Sequence, residues 1–345
     1  ENEEQMEKRE GNAEYKAMGK SSSVSGCFTA GQTEEASSFD VIIPCYTPGE
    51  KFRKLLKALE KQELPPKKVI LINTEERYFP KDVLKDTKLD IRLHHISRRD
   101  FDHAYARNLG VSFSDTPYFL CMTDDAVPAD EKMTRALLSA FSQDSKIAEV
   151  YARQCCTKES SFDERLSRTF NYGEASQIKG MEDLNRLGIK CFFASNVCCM
   201  YKREIFSSLG GFLVPTIFNE DMIFAARAEQ AGYKVAYQAE ARVYHSHRFT
   251  ALQQFRRNFD LGVSHRDYRE IFDLVPPEKE GIRMIMQNSK AVLSEGKAYL
   301  LFPLFFRTVF RFLGYKAGRN YSRIPKFLLR RFTLNPQYFQ NKKIL

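Results

Sequence analysis

An open, mostly parallel sheet flanked by helices, with a basic helical extension at its C-terminal end, is the fold class this 345-residue sequence predicts. Three observations predict it. Short apolar runs alternate with amphipathic helical stretches from Asp40 to Met122, the pattern of strand-helix-strand units. Polar residues cluster where those runs end. Charge is partitioned: Gly281 to Leu345 holds 13 Lys and Arg against one acid, Glu295, although the whole chain carries only +9.

Taken in order, residues 1–38 are rich in Glu, Lys, Ser and Gly and read as a disordered tail. Its Gly19-Lys20-Ser21 is no phosphate loop, because Glu14 stands where the first glycine belongs and no strand precedes it. DVIIP (Asp40–Pro44) is a strand that stops at the turn signal CYTPGE. Thr47 and Glu50 have capping-box spacing, Pro48 sits at a first helical position, and Phe52, Leu55, Leu56 and Leu59 form one helical face. Pro65 and Pro66 end that helix, and KVILIN (Lys68–Asn73) completes a right-handed unit. LDIRL (Leu89–Leu93) is a third strand, Asp102 to Ser114 a helix, and YFLCM (Tyr118–Met122) a fourth strand running straight into Thr123, Asp124 and Asp125. Tyr172–Gly188 reads as a mobile lid with a short helix, and CFFASNV (Cys191–Val197) as a strand lined by Ser195 and Asn196. Asn219 is placed to cap a helix that has Glu220 and Asp221 in its first turn and ends at Gly232.

Composition excludes fibrous, collagen-like and fully disordered chains, since 43% of residues are hydrophobic and 28% charged. Eight cysteines without a CxxC spacing read as reduced, packed thiols of a cytosolic protein. In the basic C-terminal region, 271–345, aromatic and aliphatic residues interleave with cations. Its longest uncharged stretch, Ala298–Phe306, falls far short of the roughly 20 residues a bilayer span needs. Peripheral contact with the inner face of an anionic membrane is therefore expected, the other reading being a helical hairpin packed on the core with a solvated basic rim. No nucleic-acid signature accompanies the charge, and none is expected as partner.

Ligands of open α/β sheets bind outside the carboxyl ends of the strands, so Tyr46, Asn73, Thr74, Asp124 and Asp125 should converge on one edge. A dinucleotide redox site is excluded because no GxGxxG follows the first strand. Adjacent carboxylates repel unless a cation lies beside them, and Mg²⁺ or Mn²⁺ holding a diphosphate meets that need. Asp221, at a helix N-terminus, should be kept ionised by the local dipole, which suits a general base. In VYHSH, His245 and His247 face the same way if the segment is extended, and imidazole is an apt further metal ligand. In RRDFDHAYARNLG (Arg98–Gly110), Arg107 is a cation for a phosphate. Singly, each feature has an ordinary reading as a solvated turn, a helix start, a surface His pair or a salt-bridged helix. Their order along the chain is what carries information.

At this spacing FDVIIPCY, FDHAYARNLG, MTDDAVPAD, CFFASNVCCMYKREIFSSLGGF and NEDMIFAARAEQAGYKVAYQAEARVYHSHRFTALQQFRRNFDLGV resemble the family 2 glycosyltransferases, in particular their bacterial rhamnosyltransferase-like branch. The resemblance implies a GT-A catalytic domain over 39–270, a nucleoside-diphosphate sugar donor (dTDP-rhamnose or a UDP-sugar), Mn²⁺ or Mg²⁺, and inversion at the anomeric carbon. It implies Pro44 and Tyr46 beside the nucleobase, Arg107 near the nucleotide, Asp124 at ribose or metal, and Asp125 on the metal with His245 or, in its place, His247. Asp221 becomes the base, with Glu220 and Asn196 on the acceptor side. INTEERYF stands where most members have an acidic, serine-rich loop, so Asn73 or Glu75 is assigned to the base or ribose. The acceptor implied is a cell-surface polysaccharide or a lipid-linked glycan. The same scaffold also serves hexosyl and galactofuranosyl transferases and non-catalytic nucleotide-sugar or carbohydrate-binding proteins.

Overall fold

In a computed structural model the described residues are 37–345, apart from 81, 248, 276, 343 and 345. The expected disordered tail therefore falls, up to residue 36, outside them. Nine strands make one sheet: β1 Phe39–Cys45, β2 Val69–Thr74, β3 Ile91–Ile96, β4 Tyr118–Met122, β5 Val127–Pro128, β6 Ile147–Cys155, β7 Gln177–Lys179, β8 Cys198–Lys202 and β9 Lys234–Tyr244. Their order is β3-β2-β1-β4-β8-β6-β9-β5, with β7 also on β9. The first four are mutually parallel, while β8, β5 and β7 run antiparallel to their neighbours.

Eleven helices are labelled in chain order: α1 Glu50–Glu60, α2 His103–Ser112, α3 Met133–Ala140, α4 Phe162–Asn171, α5 Arg203–Ser208, α6 Glu220–Gln230, α7 Ala251–Asp267, α8 Pro277–Ser294, α9 Leu301–Arg319, α10 Lys326–Phe332 and α11 Pro336–Asn341. Alternation along the strands builds two cores. Val41, Ile43, Leu71, Leu120 and Met122 face α1 and α3 through Phe52, Leu55, Met133 and Leu137. Ile42, Ile70, Ile72, Phe119 and Cys121 face the opposite layer, with Ala104, Val111, Phe206 and Phe224. Strands covered on both sides are near-continuous apolar runs, and that made β1, β2 and β4 legible.

Several local expectations change. Thr47 makes no capping box; it takes a left-handed φ of 49° in the turn, and α1 starts after Gly49. Asn219 is also left-handed, φ 67°, and its side chain turns from the helix end to His265 (3.3 Å). The strand expected at Cys191–Val197 begins only at Cys198, which leaves Ser195 and Asn196 in the preceding loop. The segment expected to be a lid contains β7, pinned to β9 by ladder pairing and by Ser176 Oγ donating to Gln238 Oε1 (2.6 Å).

The basic region is fastened to α7. A Cβ at Gly314 would collide with the Phe255 carbonyl, and one at Gly262 with that of Tyr315, so α7 and α9 touch backbone to backbone. Asp260 accepts hydrogen bonds from Thr333 Oγ1 (2.6 Å), Leu334 N (3.0 Å) and Asn335 Nδ2 (3.2 Å). Asp267 accepts from Tyr321 and Tyr338 hydroxyls and from Lys342 Nζ (2.8 Å). Two aspartates on one helix thus tie down the chain that follows α9.

Candidate active site

The chain runs from β1 outward to β2 and β3, then returns to the other flank of β1 at β4. The carboxyl ends of β1 and β4 therefore border a switch point, where such sheets take ligands. Pro44 is half-buried near the end of β1, and the Tyr46 N–H lies 3.5 Å from Asp124 Oδ2. The exposed Tyr46 ring stands edge-on to Tyr78 (5.8 Å) with the Arg98 guanidinium 5.9 Å from its centre. Asn73 is turned inward: its Nδ2 donates to Glu75 O (3.2 Å) and lies 3.0 Å from His95 Nδ1. Glu75 has a left-handed φ of 65°, and its carboxylate accepts from Arg98 N (2.7 Å) and pairs with Arg77 (3.4 Å).

β5 pairs with the end of β9, Val127 opposite Tyr244, and this ladder sets Asp125 against the residues just beyond β9. His245 Nε2 lies 3.3 Å from Asp125 Oδ1, His247 Nε2 lies 3.4 Å from Asp125 Oδ2, and the two Nε2 atoms are 2.8 Å apart. One ligand atom from each of the three residues falls within 4.8 Å of the others. The other nitrogen of His245 is held from behind. Nδ1 lies 3.0 Å from Gln154 Oε1, and the Gln154 amide nitrogen donates to Tyr172 Oη (2.5 Å) and Ser195 Oγ (2.8 Å), which leaves Oε1 able to accept from Nδ1. Arg168 NH2 is also 3.2 Å from Nδ1, but it has its own acceptor in His245 O (3.1 Å).

Asp125 and the Nε2 atoms of His245 and His247 thus converge on one small volume, an arrangement a shared cation fits. Burial and, for His247, its neighbour His245 lower both imidazole pKa values, His247 to about 4. Burial opposes ionisation of Asp125, but His245, His247 and Lys51 outweigh it and hold the carboxyl well below the usual range. Burial and Asp125 push Asp124 up to about 6. One carboxylate and two imidazoles fit a divalent transition ion such as Mn²⁺ better than Mg²⁺.

A second corner forms at the start of α6. Asp221 Oδ2 accepts from Asn196 N (2.9 Å) and Oδ1 from Met222 N (2.8 Å). Its neighbour Glu220 pairs with Arg107 (2.8 Å) and accepts from Asn196 Nδ2 (3.0 Å), whose Oδ1 takes the Tyr201 hydroxyl (2.8 Å). Arg107, expected at the nucleotide, is instead buried against Glu220. Burial raises Glu220, yet Arg107, His103 and Asn196 outweigh it and leave its pKa lowered. For Asp221 the balance is reversed. Burial and the Glu220 charge push it up to about 7 in spite of two backbone N–H donors, so the helix dipole does not decide this group. The two corners are joined by adjacent residues, since Asn196 holds Asp221 while Ser195 takes the hydrogen bond of Gln154, the partner of His245.

Sequence reading missed three cations here. Lys51 Nζ lies 3.8 Å from Asp125 Oδ2 and donates to Ser246 O (3.0 Å). Arg168 clasps His245. Arg257, on α7, lies over the Phe218 ring (4.7 Å), and its charge is felt by Asp221, His103, His245 and His247 alike. In the sequence these looked like ordinary helix-surface cations; the one signal was that Arg257 follows HSH on the next helix.

Residues 40–210 match "Glycosyl transferase family 2". The O-antigen chain rhamnosyltransferase RfbN of Salmonella typhimurium is 36% identical over 87% of this chain and 96% of its own length. The chain belongs to glycosyl transferase family 2. WbaN, an O-antigen chain rhamnosyltransferase of Salmonella anatum, is 34% identical over 88% of the chain and 96% of its own. Those matches reach well past residue 210, so this family 2 glycosyltransferase shares more than the N-terminal part of its sheet with them. The mannosyltransferase PcManGT from Pyrobaculum calidifontis, solved in complex with GDP-Man and Mn²⁺, is 14% identical, with a TM-score of 0.57 over 83% of this chain and 88% of its own. That likeness shows the GT-A fold. No helix among the described residues is long and apolar enough to cross a membrane.

Proposed function

We propose that this glycosyltransferase moves rhamnose, with inversion, from dTDP-rhamnose to a hydroxyl of a cell-surface polysaccharide or lipid-linked glycan precursor. The observation that carries the reading is the pairing of a three-ligand Asp125–His245–His247 corner with an aspartate, Asp221, that titrates near neutrality. The sugar is supported by two relatives described as O-antigen chain rhamnosyltransferases, and the metal by the Mn²⁺ in the mannosyltransferase complex.

A divalent cation held by Asp125, His245 and His247 would supply charge neutralisation to the departing diphosphate. Asp221 accepts the proton of the acceptor hydroxyl as that oxygen bonds to the anomeric carbon from the face opposite the diphosphate. The anomeric bond to the diphosphate breaks as the new bond forms, and inversion follows. Asn196 N and Met222 N hold the Asp221 carboxylate in one orientation, and Glu220 with Asn196 borders the acceptor hydroxyl. Lys51 and Arg257 add fixed positive charge where negative charge develops, the term that gives most to transfers of this kind. Tyr46, with Pro44 behind it, offers a ring for the base.

The test incubates the purified protein with Mn²⁺ and either dTDP-rhamnose or UDP-sugars, and measures nucleoside diphosphate release and product anomer. Release of dTDP with an inverted product is expected. Turnover of a UDP-hexose or UDP-galactofuranose alone would reassign the donor. Absence of release from every donor would leave only a binding protein.

A further inference from the structure

We propose that the outward face of α8, α9 and α10 seats the enzyme on an anionic phospholipid bilayer, a contact separate from the catalytic corners. On α9 the residues Phe302, Phe305, Phe306, Val309, Phe312 and Leu313 recur at the spacing of one helical stripe, yet the five apart from Val309 are exposed. Phe302 is 70% exposed and Phe305 62%. The stripe cannot be an inward face out of place, because Gly314 and Gly318 already occupy the inward side of α9 against α7. Ile282, Ile285, Met286 and Leu293 on α8, and Phe327 on α10, are exposed apolar side chains as well. Between α8 and α9 an apolar groove of about 330 Å³, lined by Met284, Ile285, Leu304, Phe305 and Val309 among others, opens onto it. A soluble surface seldom presents this much contiguous apolar area without a partner.

Charge selects the partner. The sequence from Gly281 onward holds 13 Lys and Arg and one acid; Arg307 and Arg311 pair with Asp163, Arg319 with Asp273 and Lys342 with Asp267, while Lys290, Lys326, Arg330 and Arg331 are exposed on the same helices as the apolar residues. A second copy of this surface would bring like charge against like charge. An anionic lipid surface complements both the cations and the apolar side chains, which enter the boundary between headgroups and chains. Because α9 is locked to α7 through backbone contact, and α7 carries Arg257, lipid contact would hold the cleft at a set height above the bilayer.

The experiment is co-sedimentation of the full chain with vesicles of phosphatidylcholine alone and of phosphatidylcholine with phosphatidylglycerol, across a salt series. Binding to the anionic vesicles, weakened by salt, is expected. F302S/F305S/F312S should weaken it about tenfold or more, and K326E/R330E/R331E by about fivefold or more for each charge reversed. All six side chains are solvent-facing or partly so, and unchanged thermal melting of each variant shows that the fold is kept. Failure to bind anionic vesicles at low salt overturns the proposal. Binding that ignores the Phe substitutions also overturns it, because it would then be attraction to any polyanion. A concentration-dependent dimer in sedimentation velocity that the Phe substitutions dissolve would overturn it in favour of a self-interface.

Discussion

Asp125 and Asp221 are the same side chain placed in two corners of one site, and their surroundings drive them apart. Asp125 meets His245, which hydrogen-bonds it, together with His247 and Lys51, and is held ionised far below the ordinary range. Asp221 meets Glu220 at a partly buried helix start and is raised to about 7. Both are buried enough to be penalised as anions. The sign of the nearest charge decides which way each goes, and two carboxylates so separated are the mark of two distinct jobs. One is fit to hold a cation permanently, the other to take up a proton and give it back.

The sharpest way to break this contrast is to neutralise each aspartate in turn. Asp221→Asn keeps size and hydrogen-bonding shape but cannot accept a proton, so turnover should fall about a thousandfold while donor affinity stays near wild type. Turnover with donor binding measured separately by calorimetry checks it; retained turnover would remove Asp221 from the role of base. Asp125→Ala should act on both quantities, weakening Mn²⁺-dependent donor binding and turnover by about a hundredfold each. If donor affinity survives Asp125→Ala and is also indifferent to a chelator, the two corners are not divided as described. A smaller effect is expected one shell out. Gln154→Leu removes the acceptor beside His245 Nδ1 and should loosen Mn²⁺ by about tenfold, read from metal titration of the binding signal.

How much of this was readable beforehand differs between the corners. Asp124 and Asp125 stood out because YFLCM is an uninterrupted apolar strand and polar residues at its exit must face the ligand edge. His245 and His247 stood out by their spacing. The ladder that unites them with Asp125 did not, because β5 is two residues long and leaves no periodic trace. Gln154 was invisible for a related reason: β6 carries Glu149, Arg153 and Gln154 inside a strand, and only the assembled sheet shows that Glu149 and Gln154 are buried. At the other corner the helix start, Glu220 and Asp221 were legible from sequence, whereas the direction of the Asp221 shift was not. The dipole argument treats a helix end in water, and here Glu220 and burial outweigh it. Arg107 failed to reach the nucleotide edge because its partner, Glu220, comes from a segment 113 residues away in sequence. Long-range ion pairs of that sort have no local signature.

The finest probe of the contrast is the pH dependence. A base must be unprotonated to work, so below about pH 7 neutral Asp221 accumulates and kcat/KM should fall by about tenfold per pH unit, with a plateau above. Glu220→Gln removes the negative charge that, after burial, does most to hold Asp221 up, and it leaves Arg107 unpaired nearby, which acts in the same direction. The midpoint should therefore move toward lower pH, by about one unit. Loss of acceptor positioning in that variant would lower the whole curve without moving its midpoint, so the position of the bend, not its height, is the quantity to read. A midpoint that stays at its wild-type value would mean that Glu220 does not set the proton affinity of its neighbour, and the division between a permanently charged corner and a proton-exchanging one would lose its cause.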